Sequence, residues 1–461
     1  MAYSTIDKST AHFNTKLYSG NGSTQSITGV GFQPDWTWIK ERNDTPDHKL
    51  IDSVRGVSKI VESNTTEAES TNTTGITSFD SDGFSLGSNG STNGGSDTYV
   101  SWNWLAGGTA PAITYSVKVV SDSGNKYRFD DFGTSAVTLD LQEGGTYTFD
   151  QSDSSNAGHP LRFSTTANGT HGGGSEYTTG VTTTGTPGSS GAKTVITVAA
   201  SAPTLYYYCT SHSGMGGQAN TNSLFGSSNF SGSIQSTVSA NQTAGFSIVK
   251  YTGTGSNATI GHGLGVVPKM IIFKVLDSST DWVVYHVGVG NTGALRLNNS
   301  NATQTNSVFF QDTTPSSSII TIGTGTDLNT SGQSHIAYCF AEKTGYSKFG
   351  SYVGNGNADG TFVYTGFKPA FIIIKRTTSQ SWVMFDSKRS DVANANPNDQ
   401  VLYPSGSEAE FSSSTREIDT LSNGFKCRAT GGNIGASGET YTYMAFGQTI
   451  VGSNNIPATA R

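Results

Sequence analysis

The residues best suited to chemistry in this chain lie at positions 206–215, which read YYYCTSHSGM. The spacing Cys209-x2-His212-x2-Met215 places a thiolate, an imidazole and a thioether on one short loop. A second imidazole, His159, lies far upstream in the segment GHPLRF. Thiolate and thioether are soft donors, so the loop indicates a site for a soft transition metal.

Residues 111–225 must position these side chains. Apolar segments such as YSVKVV, YTFDQ and LYYYC predict strands joined by Gly/Thr-rich loops. A β-sandwich with a His midway and a Cys at the end of its last strand resembles the cupredoxins. The resemblance implies one copper per chain, with His159, Cys209 and His212 as equatorial ligands and Met215 as a weak axial ligand. A thioether disfavours zinc, whose structural sites use Cys and His.

One position departs from the cupredoxin pattern. That family commonly has an Asn directly after its first His ligand, which bonds across to the ligand loop, whereas here the residue is Pro160. Because such bonds orient ligands and tune potentials, the departure bears on electron transfer more than on metal binding. The alternative is a cupredoxin-like domain without metal, in which Cys209 and Met215 are core residues.

The rest of the chain consists of three copies of one unit. Each copy starts with a Tyr-x-Gly-x-Gly segment, at Tyr18, Tyr251 and Tyr352. A proline follows 16 or 17 residues later and introduces an apolar strand. These strands end at Lys40, Lys274 and Lys375. Each copy closes on an aromatic strand: YVSWNWLA, HIAYCFA and YTYMAF.

Short strands separated by frequent turns predict an all-β protein. We expect tandem β-sandwich, jelly-roll-like domains plus one cupredoxin-like β-sandwich. The predicted boundaries are 1–110 for the first jelly-roll-like repeat, 111–225 for the cupredoxin-like domain, 240–345 for the second repeat and 346–461 for the third. Tandem sandwiches on Gly/Ser-rich linkers predict a rod or an array of separate knobs.

Copies one and three share paired acids that copy two lacks, Glu67-Ala-Glu69 and Glu408-Ala-Glu410. Two facing carboxyls could suggest a glycosidase. Without a matching pair in copy two or a substrate cleft signature, we expect solvated structural acids instead.

Two pairs of tryptophans alternate along predicted strands, Trp36 with Trp38 and Trp102 with Trp104. Members of each pair point to one face of their strand. Core packing is the expectation for them, and an exposed platform for stacking sugars is the alternative.

Composition excludes several classes of function. The net charge is -7 and no basic stripe offsets it, so we expect no nucleic-acid partner. Nowhere do eighteen apolar residues follow one another, and the first residues lack an apolar signal core, so we expect neither membrane insertion nor a cleaved signal. The three cysteines lie far apart and form no disulfide framework.

Jelly-roll-like copies, a cupredoxin-like insert and a Gly/Ser/Thr/Asn-rich surface together resemble the appendage proteins of tailed phages, especially marine ones. The resemblance implies a non-enzymatic virion structural and adhesion protein, a tail fibre or other surface fibre, assembled in the host cytoplasm. Its partners would be other virion proteins, further copies of the chain in a trimer, and a glycan or protein of the host-cell surface. The alternatives are a copper-binding redox or metal-display protein and a bacterial surface adhesin.

Overall fold

The computed structural model describes residues 6–222, 224–389 and 396–448. Parts of the predicted domains, at residues 1–5, 223, 390–395 and 449–461, lie outside the described residues. The prediction of an all-β sandwich protein is confirmed, because the described chain is built from mostly antiparallel sheets with only short helices. None of the helices in this part of the chain has the length and apolar character needed to cross a membrane.

From residue 6 onwards, copy one contains nine strands, a 3₁₀ turn at Ser9–Ala11 and the one-turn helix α1 (Gly90–Asn93). Its strands are β1 (Phe13–Ser19), β2 (Gln25–Thr28), β3 (Trp36–Glu41), β4 (Lys49–Asp52), β5 (Lys59–Ile60), β6 (Ser70–Thr71), β7 (Ile76–Asp80), β8 (Gly83–Leu86) and β9 (Thr98–Trp104).

The insert follows copy one and contains ten strands, with 3₁₀ turns at Ser154–Asn156 and Gly169–Gly172. These strands are β10 (Ala112–Ser121), β11 (Asn125–Phe129), β12 (Leu139–Gln142), β13 (Thr146–Asp150), β14 (Leu161–Ser164), β15 (Glu176–Tyr177), β16 (Val181–Thr184), β17 (Lys193–Thr197), β18 (Leu205–Cys209) and β19 (Gly217–Asn222). They form two five-stranded sheets, β11-β10-β13-β17-β16 and β12-β19-β18-β14-β15. Aromatic and aliphatic side chains from both sheets share one core, so the insert is a β-sandwich.

Copy two contains ten strands and the short helices α2 (Ser307–Phe310) and α3 (Thr326–Asn329). Its strands are β20 (Ser227–Asn229), β21 (Ser236–Asn241), β22 (Phe246–Thr252), β23 (Ala258–Gly261), β24 (Met270–Val275), β25 (Val283–His286), β26 (Gly293–Arg296), β27 (Gln304–Thr305), β28 (Ile319–Ile322) and β29 (Ser334–Phe340). The strands β20 and β21 extend its main sheet to eight strands and join the insert to it.

The described part of copy three, residues 346–389 and 396–448, contains nine strands. They are β30 (Ser347–Val353), β31 (Phe362–Tyr364), β32 (Pro369–Arg376), β33 (Val383–Asp386), β34 (Gln400–Val401), β35 (Phe411–Ser412), β36 (Ile418–Leu421), β37 (Gly424–Cys427) and β38 (Thr440–Gly447).

The three copies share one strand order. In each, the strand that contains the Tyr of the Tyr-x-Gly-x-Gly segment pairs with the last strand. The last strand pairs with the proline-led strand, and that strand with the next: β1-β9-β3-β4, β22-β29-β24-β25 and β30-β38-β32-β33. A smaller sheet lies beside each main sheet: β2-β8-β7, β23-β28 and β31-β37-β36. The sequence repeat therefore corresponds to a repeat of structure.

The Tyr-x-Gly-x-Gly segment closes each copy at one end. The hydroxyl of Tyr18 donates to the carbonyl of Thr92 at 2.8 Å, in the turn that precedes the last strand. The tyrosines of the other two copies make the matching bond, to Leu328 and Ile434. A Cβ at Gly20 would lie 2.0 Å from a backbone oxygen of that turn, so only glycine allows this approach.

The main sheets of all three copies pack on one shared core. Its members come from every copy and include Trp36, Trp104, Phe246, Tyr338 and Phe371, all buried. The indole of Trp36 in copy one stacks on the ring of Tyr338 in copy two, with centroids 4.4 Å apart. The expected rod or array of knobs is therefore wrong: the copies close into a compact ring. The four tryptophans Trp36, Trp38, Trp102 and Trp104 are fully buried in this core, as expected for core packing.

Three equivalent hydrogen bonds join the copies into this ring. Each proline-led strand has a lysine near its end, at Lys40, Lys274 or Lys375. The carbonyl two residues after that lysine accepts a hydrogen bond from a backbone N–H in a loop of another copy. The bonds run from Glu69 N to Leu276 O, from Thr303 N to Thr377 O and from Glu410 N to Arg42 O, at 2.7–2.8 Å. They link copies one to two, two to three and three to one, so the ring is closed.

The lysines themselves are buried in these interfaces. The Nζ atom of Lys274 donates to the carbonyls of Thr66, in copy one, and Thr280. Lys40 and Lys375 likewise contact backbone carbonyls. Burial lowers the pKa of each ammonium to about 8.

Ion pairs account for one acid of each pair, Glu69 and Glu410, whereas Glu67 and Glu408 are exposed. Asp52 binds Arg55 at 2.5 Å, and the same aspartate accepts a bond from the Tyr338 hydroxyl of copy two at 2.8 Å. In copy three, Arg389 binds both Asp386 and Glu410. Further bonds cross between copies: Arg42 to Glu410 and Trp102 Nε1 to Asp386. The expectation of solvated acids is wrong for Glu69 and Glu410, whose side chains are only 17% and 8% exposed because they bind arginines at these interfaces.

Buried imidazoles also lie between copies, and each is held in one neutral form. His48 accepts from Trp38 Nε1 at 2.8 Å and its other nitrogen contacts the Tyr403 carbonyl of copy three. His286 accepts from Gly288 N and contacts the Tyr443 carbonyl of copy three. A second proton would turn each accepting nitrogen into a donor and break its bond. Burial accordingly lowers the pKa of His286 to about 4 and that of His48 well below the ordinary value.

Acid should loosen the ring through these imidazoles. The folded pKa of His286 lies below the ordinary 6.5, so below that pH the folded chain binds fewer protons than the unfolded chain. The stabilisation is complete above about pH 6.5 and is lost as the pH falls towards 4, by roughly 2–3 kcal/mol at about pH 4.5. We expect His286→Gln to reduce the fall in Tm between about pH 7.5 and 4.5. The control His171→Gln, at an exposed position, should leave that fall unchanged. Equal acid sensitivity of His286→Gln and the wild type would contradict the assignment.

Candidate metal centre

Pairing of two strands in the insert brings the first two predicted ligands together. β14 and β18 are antiparallel, with Leu161 opposite Cys209. Beyond that pair the ladder continues through a bond from Thr210 N to the carbonyl of Pro160 at 3.1 Å. His159 immediately precedes this ladder and Cys209 ends β18, so the two side chains meet at one end of the sheet.

The loop at residues 210–216 then returns the chain over this end and brings His212 into place. Cys209 Sγ lies 3.8 Å from His159 Nδ1 and 3.8 Å from His212 Nδ1. The three donor atoms lie within 4.8 Å of one another, and the two imidazole centroids are 4.6 Å apart. Cys209 is buried, His159 half-buried and His212 exposed. The cluster therefore has one side in the core and one side at the surface.

These separations fit a single transition-metal ion. With bonds of about 2.0 Å to nitrogen and about 2.3 Å to sulfur, a trigonal arrangement separates nitrogen from sulfur by about 3.7 Å. Burial, together with the nearby His212, lowers the pKa of His159, which favours the neutral imidazole that a metal requires. Two imidazoles and one thiolate are the equatorial donor set of blue-copper sites.

Met215 lies at the other end of the loop. Its side chain is 1% exposed and belongs to the same hydrophobic cluster as Cys209. Its carbonyl accepts a bond from Tyr127 N at 2.9 Å, which fixes the end of the loop against β11. The structure thus brings together His159, Cys209 and His212, and places Met215 in the core that borders them.

An asparagine at another position bonds across to the ligand loop. In cupredoxins this asparagine follows the first histidine ligand, the position that Pro160 occupies in this chain. Asn168, from the 3₁₀ region, accepts from Gly214 N at 2.8 Å and donates to Ser213 Oγ at 2.8 Å. Its backbone is left-handed, with φ +63°. The loop is therefore held by side-chain bonds from Asn168, which the cupredoxin pattern does not predict. The Asn-Gly dipeptide there, typical of a turn, was the available signal.

Other residues around the cluster were also missed from sequence. The Tyr127 hydroxyl and Gln151 Nε2 both donate to the His159 carbonyl at 2.9 Å. His171 Nε2 contacts the Cys209 carbonyl at 3.1 Å, although its side chain is exposed. These contacts orient the backbone of two predicted ligands, and such outer contacts support metal affinity. The predicted absence of disulfides agrees with the structure, where Cys209, Cys339 and Cys427 are free and buried.

Comparison with known families leaves the centre of the insert unmatched. A family model described as a domain of unknown function (DUF7483) matches residues 8–130 and 218–449, which is more than half of the chain. The stretch between the two matched segments contains all four predicted copper ligands. Neither the curated proteins nor the solved structures that were compared with the chain match it.

Asn168 offers a direct test of loop positioning. On the predicted copper assignment, Asn168→Gly should weaken Cu(I) binding about 10- to 100-fold, because the loop loses both side-chain bonds. Glycine tolerates the left-handed backbone, so the substitution adds no strain. Affinity would be measured by competition with a chromogenic chelator. Ser213→Ala removes one of the two bonds and should lose less, and an Asn168→Gly affinity equal to that of the wild type would contradict the positioning role.

Proposed function

Since the chain belongs to the DUF7483 family, whose model leaves out the centre of the insert, we propose two separable roles for it. The insert binds one copper ion, and the ring of three copies is a non-enzymatic scaffold that displays the insert. The observation that carries the first role is the convergence of His159, Cys209 and His212 at separations that suit one ion.

In the copper role each ligand has a distinct task. Cys209 supplies the anionic soft donor from the buried side of the site, and His159 is held by bonds to its own carbonyl. His212 faces solvent and connects the site with the surface. Met215 is the candidate for a weak axial ligand, as the cupredoxin resemblance implies. Bound copper would supply one-electron chemistry, which these residues support by fixing the ligand positions.

We propose a virion as the setting of the second role: a tail-fibre or other surface-fibre protein, assembled in the host cytoplasm and used for host attachment. The resemblance to phage appendage proteins motivates this, and the interlocked ring, with its buried ion pairs at the copy interfaces, suits a robust exterior component. Further copies of the chain, as a trimer, and other virion proteins are the proposed partners. Immunogold labelling of purified particles with an antibody to this chain tests the proposal, and unlabelled particles would overturn it.

Copper uptake gives the sharpest test of the first role. The reduced protein should bind one copper per chain and turn intensely blue on oxidation, through thiolate-to-copper charge transfer. Cys209→Ser should abolish the colour because a hydroxyl cannot replace the soft anionic donor. Met215→Leu should retain copper with a shifted reduction potential.

The matched control is Cys339→Ala, in copy two, which should keep the colour and the copper. Metal content, visible absorption and the Tm of the insert are the measurements, since a ligand that binds only the folded state raises Tm. A wild-type protein without copper uptake would make the insert a metal-free sandwich, the alternative interpretation of its motif.

A further inference from the structure

Two aromatic side chains stand out on the surface of copy three. Among the described residues, Phe362 and Tyr364 are the large aromatic side chains that solvent reaches most, at 44% and 60% exposure. They lie two residues apart on β31, so both point to the same face, about 7 Å apart along the strand. Val363 between them is buried in the core of copy three.

The ring of Phe362 rests on the sheet. A Cβ at Gly424, on the neighbouring strand β37, would lie 2.9 Å from Cε2 and 3.0 Å from Cζ of Phe362. Because glycine has no side chain, the ring can lie close to the backbone there and leave its other surface open to solvent. Tyr364 stands opposite the same glycine in the strand register. Together the two rings form an apolar strip along the edge strand of the small sheet.

The fold does not require aromatic residues at these positions. The corresponding strand of copy one, β2, has Thr28 opposite Gly83 as copy three has Tyr364 opposite Gly424. Two residues earlier, copy one has Ser26 where copy three has Phe362. Copy one therefore builds the same sheet with small polar side chains on this face. Of these two sheets, only the sheet of copy three carries the aromatic pair.

The charges around the strip cancel. Lys426, opposite Phe362 in the register, forms an ion pair with Asp359. Arg428 lies 3.5 Å from Asp419 and 4.0 Å from Asp359. Two cations and two anions leave no net charge beside the rings, which disfavours a strongly charged ligand. The N–H groups and carboxylate oxygens of these four side chains can still form hydrogen bonds with the hydroxyl groups of a ligand.

The size of the strip disfavours a protein partner. A stable protein interface buries about 800 Å² on each side. Here only two rings form the apolar surface, beside the ion pairs of Lys426 and Arg428. The exposed Val353 lies on another strand, β30. A pyranose presents a flat C–H surface that can stack on an aromatic ring, with hydroxyls around its rim that can bond to flanking polar groups. We propose that this face of copy three, the aromatic strip, binds a neutral oligosaccharide.

This assignment rests on the attachment role for its biological meaning, and it names a chemical class for the host-surface ligand. The purified chain is run in native gels, one of which contains the anionic polymer alginate for comparison. The others contain the neutral polymers dextran, amylopectin, galactomannan or mixed-linkage β-glucan. We expect at least one of these polymers to retard the wild type. Phe362→Ser combined with Tyr364→Thr reproduces the residues of copy one and should weaken that binding at least about tenfold, as loss of stacking predicts.

Three controls make the outcome decisive. Tyr364→Phe should retain most of the binding, and Val353→Thr should retain it, because both keep two rings on the strip. Tyr364→Thr alone, at the more exposed position, should bind more weakly than the wild type even if the double variant folds poorly. Unchanged Tm and copper content would show that the scaffold and the insert are intact.

Three results would overturn the assignment: no retardation by any neutral polymer, equal retardation of the double variant, or retardation by alginate alone. These results concern the purified chain and need no particle. Particles that lack the chain, while the protein still binds a neutral polymer through the strip, would instead reject the virion role and leave the binding site standing.

Discussion

The packing of aromatic side chains between the three copies is the interaction on which the remaining structure depends. Each main sheet is covered on one side by its own small sheet and on the other by the shared core, so strands such as β3 and β24 are buried along their full length. A copy separated from its neighbours would expose large indole and phenyl surfaces. Burying such side chains stabilises each by about 1.5–3 kcal/mol or more. The buried lysines, ion pairs and imidazoles then fix which copy meets which.

The insert depends on a different core. Its two sheets enclose their own aromatic cluster, and Cys209 and Met215 belong to that cluster and not to the shared one. Its link with the ring passes largely through β20 and neighbouring polar contacts, such as Tyr147 to Ser227 and Thr237 to Asp140. A metal site supported this way can be gained or lost with little effect on the ring. The family match covers the ring together with β10, β11 and most of β19 of the insert, and leaves out the ligands.

Much of this architecture could be predicted from sequence, because it depends on the types and spacing of residues that are close together in the chain. Constant spacing from Tyr18 to the proline-led strand revealed the copies, and Cys-x2-His-x2-Met revealed the ligand loop. Closure of the ring was missed, although unbroken apolar runs such as MIIF already indicate strands buried on both faces. Asn168 and the strip of Phe362 and Tyr364 depend on contacts between distant segments and on solvent exposure, which spacing does not encode.

Covalent linkage of the three copies has an evolutionary consequence. In a ring of identical subunits every substitution appears three times, so a change that suits one interface must be tolerated at all of them. Here one junction has diverged from the other two: Asp52 joins copy one to Tyr338 and Asp386 joins copy three to Trp102, whereas His286 takes that place in copy two. A single gene can thus carry one insert, with its proposed metal site, and one aromatic strip per ring, a stoichiometry that a symmetric homotrimer could not reach.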